Sequence, residues 1–447
     1  MQLARLVPCV ALVLGGLAHA APPGDRDWDA ITGPSQGERP EPWPEVEWRE
    51  DLGKALRVAK EEGRPLFVTV RCLPCKQCAD FDRDVLEGGP ELDPLLRQFV
   101  TVRLTDMSQV DRRILPFDGF QDLDLSWWGY LLSPEGRLYG VYGGKDHTGD
   151  ASRISVPGLA ATLERVLAHH CDPRRPAWDI DGEAPKLRGR AETPERLKGF
   201  ARWKRESPDE VRAQSCLHCH QVSDVLRQPA IEAGAFDKRS DFFVWPYPEN
   251  LGLTLDRDDG LLVREVEAES PAAQAGLRPG DALVAAEERK LFSQTDLRGV
   301  LHRLEGDAVT LRWRREGALQ SATLELAPGW RASDLGWRKS VAEARIGGAA
   351  GIPWPLATNP GERRARGLPE GAMAIKPWWG PAAKERPAVK AGLRPGEWIV
   401  AVDGESPDLH GRAFNAWFRL RYEPKQRFTL TLVDPQGGRR ELELVAQ

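Results

Sequence analysis

The chain has 447 residues and a formal net charge of −5 at pH 7. At about 100–200 residues per domain, that length predicts two to four domains. Acidic and basic residues interleave without a basic run, which argues against a nucleic-acid partner, and past the N-terminus no stretch approaches the roughly eighteen consecutive apolar residues of a membrane span.

Residues 1–20, MQLARLVPCVALVLGGLAHA, read as a secretory signal. Arg5 precedes an apolar run, and Ala18-His19-Ala20 fits a small-residue cleavage site. Cleavage near Ala20 would remove Cys9 and place the remainder outside the cytoplasm, in the periplasm. Residues 21–47 are rich in Pro and Gly and read as a disordered leader. From 48 to 171 the periodicities predict a helix over 48–62, a strand over 66–71 and a helix over 76–87. A strand over 98–106, a hairpin over 129–144 and a helix over 156–170 follow. This order fits a small α/β domain around a mixed sheet. Residues 172–247 read as a charged, Pro-rich connecting segment with a helix candidate at 207–214.

The rest is β-rich and repeats itself. PAAQAGLRPGDALVA (271–285) and PAVKAGLRPGEWIVA (387–401) agree at 10 of 15 positions. This predicts one module over 248–328 and another over 330–447. Leu251-Gly252-Leu253 and Leu335-Gly336-Trp337 precede the two copies, with 19 and 51 residues from triplet glycine to repeat proline. By that spacing the second copy carries 32 extra residues, with a loop over 347–367. Further elements expected are a helix over 293–304 and strands over 308–316 and 427–434. The fold class is multidomain, α/β followed by β-rich modules.

Five of the seven cysteines fall in two clusters, which is too few for a disulfide scaffold and points to chemistry. The first is CLPCKQC, with Cys72, Cys75 and Cys78 between a strand and a helix. A helix N-terminus and nearby cations, here Arg71 and Lys76, lower a thiol's pKa from about 8.5 towards 3.5–7.5 and so favour the nucleophilic thiolate. Redox exchange, a permanent disulfide and a zinc site completed by Cys216 and Cys219 all fit the residues. Residues 48–170 resemble the thioredoxin_7 branch of the thioredoxin family, chiefly through CADFDRDV (78–85) and LLRQFVTVRLTD (95–106). The resemblance implies that Cys75 attacks and Cys78 resolves, with Cys72 as an additional resolver. It also implies a proline before the strand at 130–133, where this chain has Ser126-Trp127-Trp128.

The second cluster, SCLHCHQV, contains Cys216-x-x-Cys219-His220. C-x-x-C-H is the attachment signature of c-type haem, with His220 placed to ligate the iron. A disulfide or another metal site fits the same residues. Cys171, at the end of a helix, reads as buried or paired.

SPAAQAGLRPGD (270–281) and IVAVDG (399–404) resemble the bacterial type of PDZ domain. The resemblance makes Asn250, Leu251, Gly252 and Leu253 a carboxylate-binding loop and strand, with Leu297 and Leu301 on the opposite groove wall. Peptide or protein C-termini are the partners implied. Gly-x-Ser-Gly-Gly is missing from the sequence, and with it the serine-protease reading. As a whole the chain is similar to bacterial thioredoxin_7/PDZ proteins, some of which carry selenocysteine in the thiol motif; this chain has cysteine there. Two functions follow: a thiol–disulfide oxidoreductase with PDZ modules that recruit a protein, or a non-enzymatic redox or haem-linked adaptor.

Overall fold

The structure is a computed structural model and describes residues 26–71, 79–117, 122–124, 127–144, 153–178, 180, 185–206, 217–344 and 346–447. The chain divides into two compact units. One comprises Met1–Pro229 and Val244–Ser333, the other Ala230–Phe243 and Asp334–Gln447.

The first unit begins earlier than the composition implied. Residues 26–45 are not a structureless leader: helix α1 (Trp28–Thr32) sets the Trp28 ring edge-on to Trp178 at 5.6 Å, under the Arg312 guanidinium at 3.6 Å. Arg64 lies over Trp43 at 4.4 Å. Tryptophans supply the anchors that the Pro-rich background hides.

Helix α2 (Leu52–Glu62) starts where Asp51 accepts the Lys54 N–H and stops at Gly63, whose φ of 62° closes the C-cap. Strand β1 (Leu66–Val70) is an unbroken apolar run apart from Thr69, and all five residues are buried, as a central strand covered on both faces requires. Helix α3 (Ala79–Glu87), helix α4 (Asp93–Leu96) and strand β2 (Val100–Leu104) follow. Strands β3 (Trp128–Leu132) and β4 (Leu138–Gly143) form the hairpin, and helix α5 (Val156–Cys171) begins at the Ser155 cap. The sheet order is β2-β1-β3-β4. The pair β1/β2 is parallel and the others are antiparallel, with Val70 opposite Trp128 and Trp128 opposite Gly143.

Segment 172–247 is partly folded. It holds Trp178, which is buried, helix α6 (Phe200–Glu206) and helix α7 (Cys219–Glu232). The helix candidate at 207–214 lies outside the described residues.

The first β-rich module has strands β5 (Leu253–Leu255) and β6 (Val263–Val266), helix α8 (Pro271–Gln274), and strands β7 (Ala282–Ala286) and β8 (Arg289–Lys290). Helix α9 (Gln294–Arg303) and strands β9 (Ala308–Arg315) and β10 (Ala318–Glu325) complete it, and the larger sheet runs β10-β9-β7-β8. Ser293 caps α9 reciprocally with Asp296.

The second unit follows a related order, with a helix added between its first two strands. Strand β11 (Pro355–Leu356) leads through helix α10 (Pro360–Ala365) to strand β12 (Lys376–Pro377). Helix α11 (Pro387–Lys390), strand β13 (Trp398–Val402), helix α12 (Gly411–Arg421) and strands β14 (Arg427–Val433) and β15 (Arg439–Val445) follow. The turn after the repeat is preserved in unlike residues. Glu287 (φ 49°) accepts the Thr310 N–H at 2.7 Å, and Asp403 (φ 48°) accepts the Thr429 N–H at 2.7 Å.

The counterpart of Gly252 is Gly351, which corrects the spacing argument for Gly336. Gly252 has φ 82°, and an added Cβ would lie 2.1 Å from the Cβ of Ser270, just before the repeat proline. Gly351 has φ 64°, and an added Cβ would lie 3.0 Å from that of Pro387. Its carbonyl accepts the Ala388 N–H at 3.0 Å. Gly351 stands 36 residues before Pro387, so the insertion is 17 residues and lies between β11 and β12, around α10. A Leu-Gly triplet is too short a signal to choose between glycines that only strand pairing separates.

Candidate active site and docking interface

Strand β1 hands over to α3 through residues 72–78. Cys72, Cys75 and Cys78 lie outside the described residues, so the site is built from its flanks. Asp82, on the first turn of α3, is buried. It accepts from Arg71 Nη1 at 3.1 Å, Arg103 Nη2 at 2.8 Å and Trp127 Nε1 at 3.2 Å. Trp127 is buried and meets Phe81 edge-on at 4.8 Å. Both guanidiniums thus meet the Asp82 carboxylate where β1 ends. Arg71 stood out in the sequence; Asp82, Arg103 and Trp127 did not. Asp82, four residues beyond Cys78 in the sequence, was the available signal.

On the far side of the sheet, β4 is the edge strand, and α9 and its approach cover it. Val141 N–H donates to Asp296 Oδ1 at 3.0 Å, and the Val141 carbonyl accepts from Ser293 Oγ at 2.6 Å. The Gly143 carbonyl accepts from Thr295 Oγ1 at 2.6 Å, and the Tyr139 carbonyl from Arg289 Nη2 at 2.8 Å. The polar groups that would otherwise invite another strand are thus met by side chains. Burial pushes the Asp296 carboxyl above its ordinary value, against the lowering effect of Arg289 and its three N–H donors. Deeper in, Arg298 Nη2 reaches Asp122 Oδ2 at 2.7 Å, each side chain being 1% exposed. Arg153 lies 4.3 Å over the Tyr247 ring, 3.3 Å from Gln294 Oε1 and 3.0 Å from Glu249 Oε1.

Beneath this contact His169 packs edge-on between Tyr139 (5.1 Å) and Phe292 (5.3 Å), and desolvation holds its pKa well below 6.5. His170 is lowered to about 4, mainly by burial. Its Nε2 bonds the Gly63 carbonyl and its Nδ1 meets Tyr139 Oη, both at 2.9 Å.

Residues 47–123 match the thioredoxin-like family, and residues 250–326 match the PDZ domain family. The chain carries a thioredoxin-like domain and a PDZ domain. No curated protein matches the chain. Similar solved structures include an HtrA-type protease, AlgW, with a decapeptide. It is 19% identical at a TM-score of 0.19, over 31% of this chain and 49% of that one. A variant of that protease, also with decapeptide, is 17% identical at a TM-score of 0.22, over 41% of this chain and 53% of that one. This chain therefore spans about half the length of the solved structures it matches.

In the PDZ domain, Leu251, Leu253, Leu297 and Leu301 are fully buried in one core with Leu283 and Val309. Gly252 holds the left-handed turn before β5. Asn250 Nδ2 donates to the Trp330 and Ala332 carbonyls at 2.7 and 2.9 Å. The six residues predicted to contact a peptide are thus together around β5 and α9, four of them as core.

At C-x-x-C-H, Cys216 lies outside the described residues. Cys219 is buried as the first residue of α7, and the His220 ring stacks on His218 at 5.6 Å and 10°. A cavity of about 670 Å³ beside α7 is walled by Val225, Leu226 and Pro229 with Arg112 and Lys198, and not by Cys219 or His220. Among the described residues, no group of three or more His, Cys, Asp or Glu could hold a metal, and no helix is long and apolar enough to cross a membrane.

Proposed function

We propose that this protein is an extracytoplasmic thiol–disulfide oxidoreductase whose PDZ domain holds a protein or peptide partner beside the thiols. The observation that carries this reading is the docking of α9 on β4. Thr295 bonds Gly143, Gly143 lies opposite Trp128, and Trp128 opposite Val70, which leads into the cysteine stretch. Adjacent strands are about 4.8 Å apart, so the start of α9 stands roughly 15 Å from the end of β1. A partner held by the PDZ domain needs only a short extended segment to reach the thiols.

In this reading the Arg71 and Arg103 guanidiniums, near in sequence or fold to the end of β1, favour a thiolate at Cys75. The Cys75 sulfur attacks one sulfur of a partner disulfide, forming a mixed disulfide and expelling the other sulfur as thiolate. Cys78, or Cys72, then attacks the Cys75 sulfur and releases the second partner thiol. The chain is left with an internal disulfide, which an external dithiol must reduce. Thiol-dependent reduction of a disulfide-bonded peptide by the full chain tests this. Cys75→Ser should abolish turnover, and Cys78→Ala should accumulate the mixed disulfide. Wild type without turnover defeats the enzyme reading.

The full burial of Leu297 and Leu301 favours a second reading, in which the PDZ domain braces the thioredoxin-like domain and the protein is a non-enzymatic adaptor. Absence of turnover together with retained protein partners in pull-downs would select it.

A further inference from the structure

The second unit contains a cavity of about 460 Å³ walled by Pro353, Trp354, Leu356, Trp378, Ala383 and Arg386. Its wall is almost wholly apolar. Trp354 and Trp378 are cross-strand neighbours, joined by a 3.0 Å bond from the Trp378 N–H to the Trp354 carbonyl. They are 40% and 55% exposed. Among the described residues only four large apolar side chains are at least 40% exposed, and two of them meet here. Exposed aromatic surface gathered at one concavity marks a binding site more often than a chance surface.

Two features restrict what can bind. First, Trp354 turns its carbonyl to β12, so alternation turns positions 353 and 355 to the other side of β11. Both are proline, which has no N–H, so a peptide cannot add to this edge as a paired strand. Secondly, Arg386 is the one charged side chain at the cavity among the described residues. The adjacent Glu385 is taken by Lys390 at 2.9 Å, and Arg386 itself makes no ion pair or side-chain hydrogen bond among the described residues. Sugars need hydroxyl partners that this wall does not offer. Aromatic faces, no strand donors and one uncommitted guanidinium suit an extended chain that carries no internal hydrogen bonds. Such a chain stacks prolines on tryptophan and brings a carboxylate.

We propose that this cavity binds a proline-rich peptide segment in the polyproline II conformation, with an acidic residue on Arg386. The site is separate from the PDZ domain and does not depend on the thiol chemistry.

The test is fluorescence anisotropy of the full chain with labelled Pro-Pro-Glu-Pro-Pro-Pro. A Glu-to-Gln peptide and a Gly/Ser peptide carrying the same Glu serve as comparators. Saturable binding of the acidic proline peptide is expected, with at least tenfold weakening for Trp378→Ala or Trp354→Ala. Arg386→Glu should weaken the Glu peptide severalfold and leave the Gln peptide unchanged. Unaltered circular dichroism confirms that the variants fold. Equal binding of the Gly/Ser peptide, indifference to Trp378→Ala, or no saturation at millimolar peptide overturns the proposal. So does Trp378-dependent self-association without peptide binding, which would assign the surface to a second copy of the chain.

Discussion

The two copies of the repeat share ten of fifteen residues at their turn and yet treat the following helix differently. In α9 eight of ten residues are buried; in α12 only Phe414, Ala416 and Phe418 of eleven are. The difference lies outside the repeated motif. The first copy offers Ser293, Thr295 and Asp296 to the bare edge of β4. At the matching place the second copy has His410, with no side-chain cap, and Gly411. A shared scaffold motif therefore reports the fold, while the polar residues at one helix start decide whether the module is fastened within its unit.

Breaking the fastening should have the largest effect. Arg298→Ala removes one side of the buried ion pair with Asp122 and a bond to the Trp245 carbonyl, and about 3–5 kcal/mol should be lost in urea unfolding. The change is expected in the thioredoxin-like and PDZ signals together.

Acid should discriminate between the copies next. The folded pKa of His170, about 4, lies below the unfolded value of 6.5. Below pH 6.5 the unfolded chain takes up a proton that the folded chain refuses. Stability is therefore flat above about pH 7 and falls as pH drops from 6.5 towards 4, by on the order of 3 kcal/mol. His169 is shifted in the same direction and adds to the loss. Hydrogen exchange across that range should show loosening in 139–171 and 289–303 before any in 398–445.

Ser293→Ala removes both a helix cap and a bond to Val141, and should cost about 1–2 kcal/mol. The smallest effect belongs to the second copy. Trp378→Ala, on exposed surface, should leave the unfolding midpoint within about 0.5 kcal/mol of wild type.

Local rules carried much of this in the sequence. The local pattern located β1, α5, α9, β9 and β14 within a residue or two, because each is specified by its own neighbours. What they could not carry was pairing at a distance. The Trp28–Trp178 contact joins residues 150 apart. The Asp82 cluster draws on α3, β2 and the start of β3, and the cover on β4 draws on a different domain. Gly351 was missed for the same reason, since its role depends on Pro387.

The covered edge also bears on how this protein can be taken apart. A fragment ending near residue 171 would keep its sheet but shed Arg289, Ser293, Thr295 and Asp296, leaving Tyr139, Val141 and Gly143 with an open ladder. Such a piece would seek another copy of itself along that ladder. Sticky, poorly soluble behaviour of the excised thioredoxin-like domain would then reflect where the cut was made rather than any defect in the domain.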